Sequence, residues 1–442
     1  MKLAGPRWPW EFVRDARSMA TSPTDGLMDV HTRYGPIARV GFGPFKYIAM
    51  LGPEANRFVL SDGIDSLRYR EAMSILIPVD GETAMIVSDG EEHRRRRHAV
   101  QAAFAAKRIH AYLDVMIDEF GREFRTWQAG TTINALEALR RPIRSTTVRC
   151  LFGDAMDTAG ELGRSLDITI AFVNQPMWNQ YKIDLPWTRW HRAKQARSRT
   201  DAIVNAEITR RRAQTGRASN DVLDALLEAE NEAGQPALTD IEIRDQVVSL
   251  VAASYDTISS ASVWALHELM SSSSVREAAL SEIDRVVGAQ RLTIELLTQM
   301  PYLDAIVNET LRLWPPTAIS ARKVVDAFDF AGSTVPAGTM ILYSPYVTHR
   351  LADVWDEPEV FRPERWFEAK PDPYAYVPFG GGFRRCIGFI FAVQQLKVLL
   401  VELLRTVAIT PDYDALTPVG IPALHPKGGL PVRVSRVLRP VS

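Results

Sequence analysis

Phe379-Gly380-Gly381-Gly382-Phe383-Arg384-Arg385-Cys386-Ile387-Gly388 is the stretch around which the chain is organised. Four glycines in ten residues disfavour both helix and strand and leave a tight loop that side chains do not crowd. Directly after it, Phe389 to Leu404 is an apolar-periodic run long enough for a helix. Cys386 therefore sits near a helix N-terminus, where the dipole and the free N–H groups stabilise a thiolate. Backbone N–H groups aimed at the sulfur would also tune its electron donation.

For a lone cysteine, the plainer reading is a buried structural thiol in a Gly-rich turn. Here the spacing argues otherwise. A thiolate held in this way is one of the few protein ligands that bind haem iron on one face and push electron density toward bound oxygen. The pattern Phe-x-x-Gly-x-Arg-x-Cys-x-Gly is filled at every fixed position, by Phe379, Gly382, Arg384, Cys386 and Gly388. It resembles the haem-binding signature of the cytochrome P-450 family. The resemblance implies that Cys386 is the axial ligand of a non-covalently held haem b.

The 442 residues are 46% hydrophobic and 24% charged, an ordinary composition for a soluble globular protein with a large core. Length alone suggests about two or three domains. A net charge of -1 gives no reason to expect nucleic acid or an acidic membrane surface as partner. The two cysteines, Cys150 and Cys386, leave no disulfide framework and no zinc cluster, which fits a reducing cytoplasm. Cys-x-x-Cys-His is absent, so a covalently attached c-type haem is excluded. Met1 to Trp10 has no apolar core, and no run of about 18 apolar residues occurs. Membrane-bound family members begin with such an anchor; this chain resembles the soluble bacterial members and is expected in the cytoplasm.

Ile37 to Gly41 and Lys46 to Leu51 are strand candidates joined by the turn signal Phe42-Gly43-Pro44. Residues 65–89 are irregular and include the apolar patch Ile75-Leu76-Ile77; a loop that long in a compact domain is usually functional. In Glu91 to Phe104 a run of arginines reads most simply as a solvated basic helix face. His93 and Arg97, however, are one helical turn apart and reach the same anion. Asp89-Gly90-x-x-His93-x-x-x-Arg97 resembles the C-helix of soluble P-450s, whose His and Arg bind the haem propionates. Cys150 lies on an apolar-periodic stretch and reads as inert core packing. Residues 172–190 are aromatic and Pro-broken, with Phe172, Trp178, Tyr181, Trp187 and Trp190; the family has a mobile helix–loop–helix lid there.

Thr239-Asp240 caps a long helix running to about Met270. Its middle, Val251-Ala252-Ala253-Ser254-Tyr255-Asp256-Thr257, is small and apolar apart from an Asp and a Thr. A solvent-facing Asp and a Thr bonding back to the preceding turn would account for both. The stretch also resembles the family's I-helix motif Ala-Gly-x-Asp-Thr, which crosses the distal face of the haem at Ala253. Ser254 stands where Gly is usual, leaving the local helix geometry open. Met300-Pro301 begins another helix carrying Glu309 and Arg312. Alone, that pair reads as a surface ion pair worth under about 1 kcal/mol. Glu-x-x-Arg matches the family's K-helix motif, and Arg365, in Phe361-Arg362-Pro363-Glu364-Arg365-Trp366, would complete a buried cluster that pins the cysteine loop. Arg322 resembles the family's β-strand arginine that reaches a propionate. Pro418 to Val434 reads as a β-hairpin whose tip touches substrate in the family.

The motifs keep the family's order over nearly the whole chain. They imply one large, mainly α domain over residues 1–442, with a small β-rich portion at about 35–65, 318–345 and 415–435. The implied activity is haem-thiolate monooxygenation: one atom of O₂ enters a hydrophobic fatty acid, terpenoid, steroid or polyketide, and the other leaves as water. Asp256 and Thr257 would relay protons, His93, Arg97, Arg322 and Arg384 would neutralise the propionates, and Ile75, Phe172, Val251 and Ile319 would line the pocket. Electrons would come from a separate ferredoxin or flavodoxin-type donor, an acidic ferredoxin docking on Arg94, Arg95, Arg96 and Arg385. A peroxide-driven or rearranging haem-thiolate enzyme, and a haem-binding sensor or carrier, are the alternatives. The kept Asp-Thr pair speaks against the first, and a sensor needs no proton relay.

Overall fold

The computed structural model describes residues 3–41, 46–104, 109–153, 156, 160–175, 179–214, 221–420 and 423–437. The turn signal at 42–44 and Trp178 lie outside them. The helices that build the core and frame the Cys386 loop are α1 (Pro9–Thr21), α2 (Pro23–Tyr34), α3 (Gly90–Ala103), α4 (Leu113–Phe124), α5 (Ala135–Phe152), α6 (Glu161–Val173), α7 (Arg189–Arg212), α8 (Asp240–Ser271), α9 (Ser273–Val286), α10 (Pro301–Leu313) and α11 (Phe389–Thr406). Helix α8 starts where the sequence places it. Thr239 Oγ1 accepts from Glu242 N–H, and the Glu242 carboxylate accepts from Thr239 N–H, a reciprocal cap worth about 1 kcal/mol. Helix α10 opens on Pro301, whose missing N–H costs nothing in a first turn.

Helix α8 runs through the main core, packed against α5, α7, α10 and α11. Its Val247, Val251, Tyr255, Ile258 and Leu266 join Phe120 and Phe124 of α4 and Leu399 and Leu400 of α11 in one apolar cluster. Cys150 is 1% exposed in the same cluster, in keeping with inert packing. Among the described residues no helix is long and apolar enough to cross a membrane.

The larger sheet contains β1 (Ile37–Val40), β2 (Tyr47–Met50), β3 (Leu67–Arg68), β5 (Ser320–Val324) and β8 (Met340–Tyr343), in the order β1-β2-β8-β5-β3. Strands β2 and β8 run parallel and the other pairs antiparallel. Strands β6 (Phe328–Phe330) and β7 (Ser333–Val335) form a hairpin. In a three-stranded sheet, β4 (Thr132–Asn134) and β9 (Val407–Pro411), which lie where the sequence reading placed helix, flank β12 (Pro431–Val437), most of which lies in the segment read as β-rich. Three-residue β4 is too short to show a period, and β9 follows α11 directly, with no Gly or Pro to mark the change. Only Pro418–Val419 (β10) and His425–Pro426 (β11) form the C-terminal hairpin; β12 leaves it to pair with β4 and β9.

Candidate functional site

The Cys386 loop closes on itself through its backbone. Cys386 N–H donates to Phe379 O at 2.9 Å, and Arg385 N–H donates to Gly382 O at 3.2 Å. Gly382 has φ +56°, and a Cβ there would stand 2.0 Å from Leu60 O, so both conformation and space require glycine. Gly388 is different: its φ is -87° and a Cβ would meet nothing closer than Phe104 at 3.9 Å. No protein contact explains that glycine. Cys386 lies just before α11, as its sequence position implies, and Gly388 N–H bonds to its sulfur. Its residue surface is exposed, yet neighbouring protein atoms desolvate the sulfur. Burial pushes the thiol up; Gly388 N–H, Arg97 and Arg385 pull the other way but do not prevail in the protein alone. A bound metal cation reverses that balance, because a coordinating thiol is deprotonated outright.

Behind the loop, Glu309, Arg312 and Arg365 form a closed cluster. Glu309 and Arg312 are both 0% exposed, so the surface ion-pair reading does not hold. Arg312 Nε and Nη2 donate to the two Glu309 oxygens at 2.9 and 2.8 Å, a bidentate pair. Arg365 Nε, Trp366 Nε1 and Arg362 N–H add bonds of 2.9, 3.0 and 2.9 Å to the same carboxylate. The remaining guanidinium protons reach the carbonyls of His349, Pro358, Val360, Asp356 and Glu357. Buried His349 carries the link forward: its Nδ1 meets Arg312 O at 2.9 Å and its Nε2 accepts Val377 N–H at 2.9 Å. Val377 leads directly into the cysteine loop. His349 is a residue that the sequence reading missed, since a lone His between helices carries no spacing signal.

On the other side of the loop stands a set of cations with little to neutralise them. Strand β5 alternates buried and half-buried positions and turns Ser320, Arg322 and Val324 inward. Arg322 is 4% exposed and lies over Tyr69, its Cζ 4.0 Å from the ring centre. Arg384 shares that ring at 4.9 Å and pairs with Asp89 at 2.6 Å. Helix α3 brings His93 and Arg97 to Phe383 of the loop, at 5.0 and 5.9 Å, and Arg97 Nη2 donates to Arg385 O at 2.8 Å. Among the described residues, Asp89 is the only carboxylate within ion-pair reach of Arg97, Arg322 or Arg384.

The electrostatics record the imbalance. His93 is pushed down to about 3, by burial first and then by Arg384, Arg97, Arg94 and Arg96. Arg384 is pushed down to about 10, by burial and by Arg322 and Arg97 against the pull of Asp89 and Tyr69. His93 Nδ1 is buried without a hydrogen-bond partner. A carboxylate-bearing ligand fits this set: it would supply both the missing acceptors and the missing negative charge. The haem propionates implied by the sequence resemblance are such groups. Tyr69 and Asp89 position these cations, and the Arg-Tyr-Arg run at 68–70 in the long irregular loop is the signal that could have marked Tyr69.

The rest of the arginine run does other work. Arg95 and Arg96 pair with Glu242 at the start of α8 and with Glu92, and Arg96 is only 7% exposed. They are therefore not free docking charges, contrary to the expectation for a ferredoxin face; Glu242 was not foreseen as their partner. Arg94, paired with Glu91, and Arg385 remain exposed.

Helix α8 is unbroken through Ser254, whose Oγ lies 2.9 Å from Thr147 Oγ1 on α5. The helix is buried on both sides of one open strip: Ala253 is exposed and Leu250 and Thr257 are half-exposed, all on one face. Thr257 Oγ1 donates to Ala253 O at 2.7 Å. Asp256 turns elsewhere. It is 6% exposed, 3.1 Å from His425 Nε2 and 3.5 Å from Arg140 Nη2. Burial works to raise its carboxyl, but His425 and Arg140 outweigh that and hold it below the usual range. Of the expected pocket residues, Val251 and Phe172 are buried in the main core, whereas Ile75 and Ile319 are half-buried.

Comparison with known proteins agrees with this geometry. The family model described as Cytochrome P450 matches residues 4–418. A putative cytochrome P450 139 of Mycobacterium tuberculosis is 35% identical over 93% of this chain and 97% of its own length. A taxane 10-beta-hydroxylase of Taxus cuspidata is 31% identical over 88% of this chain and 79% of its own, and a cyclooctat-9-en-7-ol 5-monooxygenase of Streptomyces melanosporofaciens is 29% identical over 83% and 81%. The solved structure of a retinoic-acid-bound cyanobacterial CYP120A1 superimposes with a TM-score of 0.87, at 28% identity, over 98% of both chains.

Proposed function

The chain belongs to the cytochrome P450 family, haem-binding monooxygenases, and on that premise we propose that it inserts oxygen into a terpenoid, using Cys386 as the axial ligand of haem b. The names of the taxane and cyclooctatenol enzymes and the retinoic acid in the solved relative favour the terpenoid over a fatty acid, steroid or polyketide. The observation that carries the site assignment is the set of three arginines with one paired carboxylate among them, Arg97, Arg322 and Arg384, and the unpartnered ring nitrogen of His93, beside the only described thiol outside the core.

Haem held there by Cys386, the arginines and His93 would supply the oxygen-activating chemistry. The protein's own residues do the rest. Phe379 and Gly382 fix the loop, and Gly388 presents its N–H to the sulfur. The three arginines and His93 hold the carboxylates. The open strip at Ala253 and Thr257 gives the reacting oxygen room, while Asp256 and Thr257 carry protons toward it. Half-buried Ile75 and Ile319 offer apolar walls to the substrate, with Phe172 and Val251 behind them. Electrons arrive from a ferredoxin or flavodoxin-type donor in the cytoplasm, docking near exposed Arg94 and Arg385.

The test is spectroscopic. The reduced, CO-bound protein is expected to show the red-shifted Soret band of thiolate ligation, and Cys386→His to lose it. Cys150→Ser should leave it unchanged. A wild-type band at the position typical of His-ligated haem would overturn the assignment. Terpenoids should shift the resting haem band at lower concentrations than fatty acids of similar size.

A further inference from the structure

Residues 181–187 lead into α7 with no regular secondary structure and with the usual placing of polar and apolar groups inverted. Tyr181, Ile183, Leu185 and Trp187, at alternate positions, are 66%, 54%, 42% and 74% exposed. The polar groups between them are held by α7 instead. Asp184 meets His191 Nδ1 at 2.8 Å and Lys194 Nζ at 2.5 Å. Lys182 Nζ lies 5.6 Å from the Trp190 ring centre. Thr188 Oγ1 caps α7 by accepting from His191 N–H at 3.2 Å, and it donates to Ile183 O at 2.6 Å. Thr188 N–H donates to Leu185 O at 2.8 Å. The linker is thus fixed by its backbone and polar side chains while its large apolar side chains stay in water. Apolar residues exposed singly are ordinary; four among seven residues form a patch of the kind that marks an interaction surface.

The charge beside this patch is one-sided. Residues 181–199 hold six Lys and Arg against one Asp, although the whole chain stands at -1. Lys194 is paired with Asp184, and Arg197 turns inward to Asp201 and Asp245. Lys182, Arg189, Arg192 and Arg199 are exposed and meet no carboxylate among the described residues. Arg192 and Arg199, two turns apart on α7, share a face.

This combination selects the occupant. A second copy would bring the same cations against these across a two-fold axis. An acidic protein or a nucleic acid would meet the cations but offers Ile183 and Leu185 little to bury in. An anionic bilayer surface supplies both halves at once: charged headgroups for the cations and an acyl boundary for the apolar side chains. Trp and Tyr settle at that boundary, and each Lys or Arg near it adds to the affinity. We propose that residues 181–187, with the cations of α7 beside them, rest on the surface of an anionic lipid bilayer, so that the protein lies on a membrane without spanning it.

Flotation with vesicles tests the proposal on the full-length, haem-loaded protein. At low salt the wild type should float with phosphatidylcholine vesicles containing about one-third phosphatidylserine, and much less with phosphatidylcholine alone. Salt should release it, because headgroup charge is screened. Ile183→Ser with Trp187→Ser, and Arg192→Gln with Arg199→Gln, should each weaken binding about tenfold or more while leaving the CO-bound Soret band in place. Lipids brominated on the acyl chain should quench wild-type fluorescence more than that of Trp187→Phe. Trp8 and Trp10, which are 57% and 64% exposed and stack at 5.2 Å, supply the control patch. A wild type that does not float, or that floats equally well after either double substitution, overturns the proposal. So does binding that is lost in Trp8→Ala with Trp10→Ala and kept in the variants of the 181–199 segment. A dimer in sedimentation velocity that Trp187→Ser dissolves would give the patch to a second copy. Retention on poly-glutamate beads without flotation would give it to an acidic protein, and either result defeats the membrane assignment.

Discussion

The Glu309 cluster and the His93 set are both rich in arginine and both flank the Cys386 loop, yet they are opposite in kind. Around Glu309, each carboxylate oxygen and each guanidinium finds several partners at hydrogen-bond distance. Around His93 stand three guanidiniums, of which Arg384 alone has a carboxylate partner, and a ring nitrogen of His93 has no hydrogen-bond partner. A closed network holds a loop still. An open one of single sign loses stability in the protein alone and recovers it when a ligand brings the missing charge. The difference separates a structural site from a binding site without reference to any relative.

The sharpest break is on the closed side. Glu309→Gln strands Arg312 and Arg365 as buried cations, a loss of about 3–5 kcal/mol. Chemical denaturation should show it, together with a fall in correctly ligated haem. On the open side the same type of change has the reverse signature. Arg322→Met removes a cation that has no carboxylate partner, so the haem-stripped protein should be as stable as the wild type or slightly more so. Its haem affinity should fall about ten- to a hundredfold, the worth of a charge-assisted bond of about 1.5–3 kcal/mol. Equal losses in both variants would erase the distinction.

Acid sharpens it further. His93 and His349 are both held down to about 3, against 6.5 in the unfolded chain. Both are neutral in the native state, so below pH 6.5 the unfolded chain binds more protons and stability falls toward pH 3. The loss approaches about 1.4 kcal/mol per pH unit for each ring, and nothing is lost above pH 6.5. For His93 the cause is burial and four arginines, which a bound carboxylate offsets; for His349 it is burial in a network already complete. His93→Asn should therefore flatten the acid slope of the haem-stripped protein and do little once haem is bound. His349→Asn should flatten it in both. Urea titrations at several pH values separate the two cases.

Legibility in the sequence depended on how local each feature is. The Gly-rich loop, the Thr239 cap and the Pro301 start depend on neighbours a few residues away, and all three were legible. So was the Glu-x-x-Arg pattern, because a helical turn fixes that pair. The three-stranded sheet was not, since β4 is three residues long and takes its register only from β12, almost 300 positions downstream.

Charge compensation is the clearest division. The sequence by itself determined that Cys386 stands in a glycine loop before a helix, and that His93 and Arg97 share a face. It set Arg94, Arg95 and Arg96, as docking charges, beside Arg97 and gave none of those three a partner within the chain. Only the tertiary structure decided that Arg95 and Arg96 meet Glu242, nearly 150 residues on, while Arg97 reaches a backbone carbonyl beside Cys386, 288 residues away. It likewise decided that Asp256 faces His425 rather than water. Propensity and periodicity act over one or two turns of chain. Whether a buried charge is satisfied depends on which distant segment the fold brings against it, and no local pattern records that.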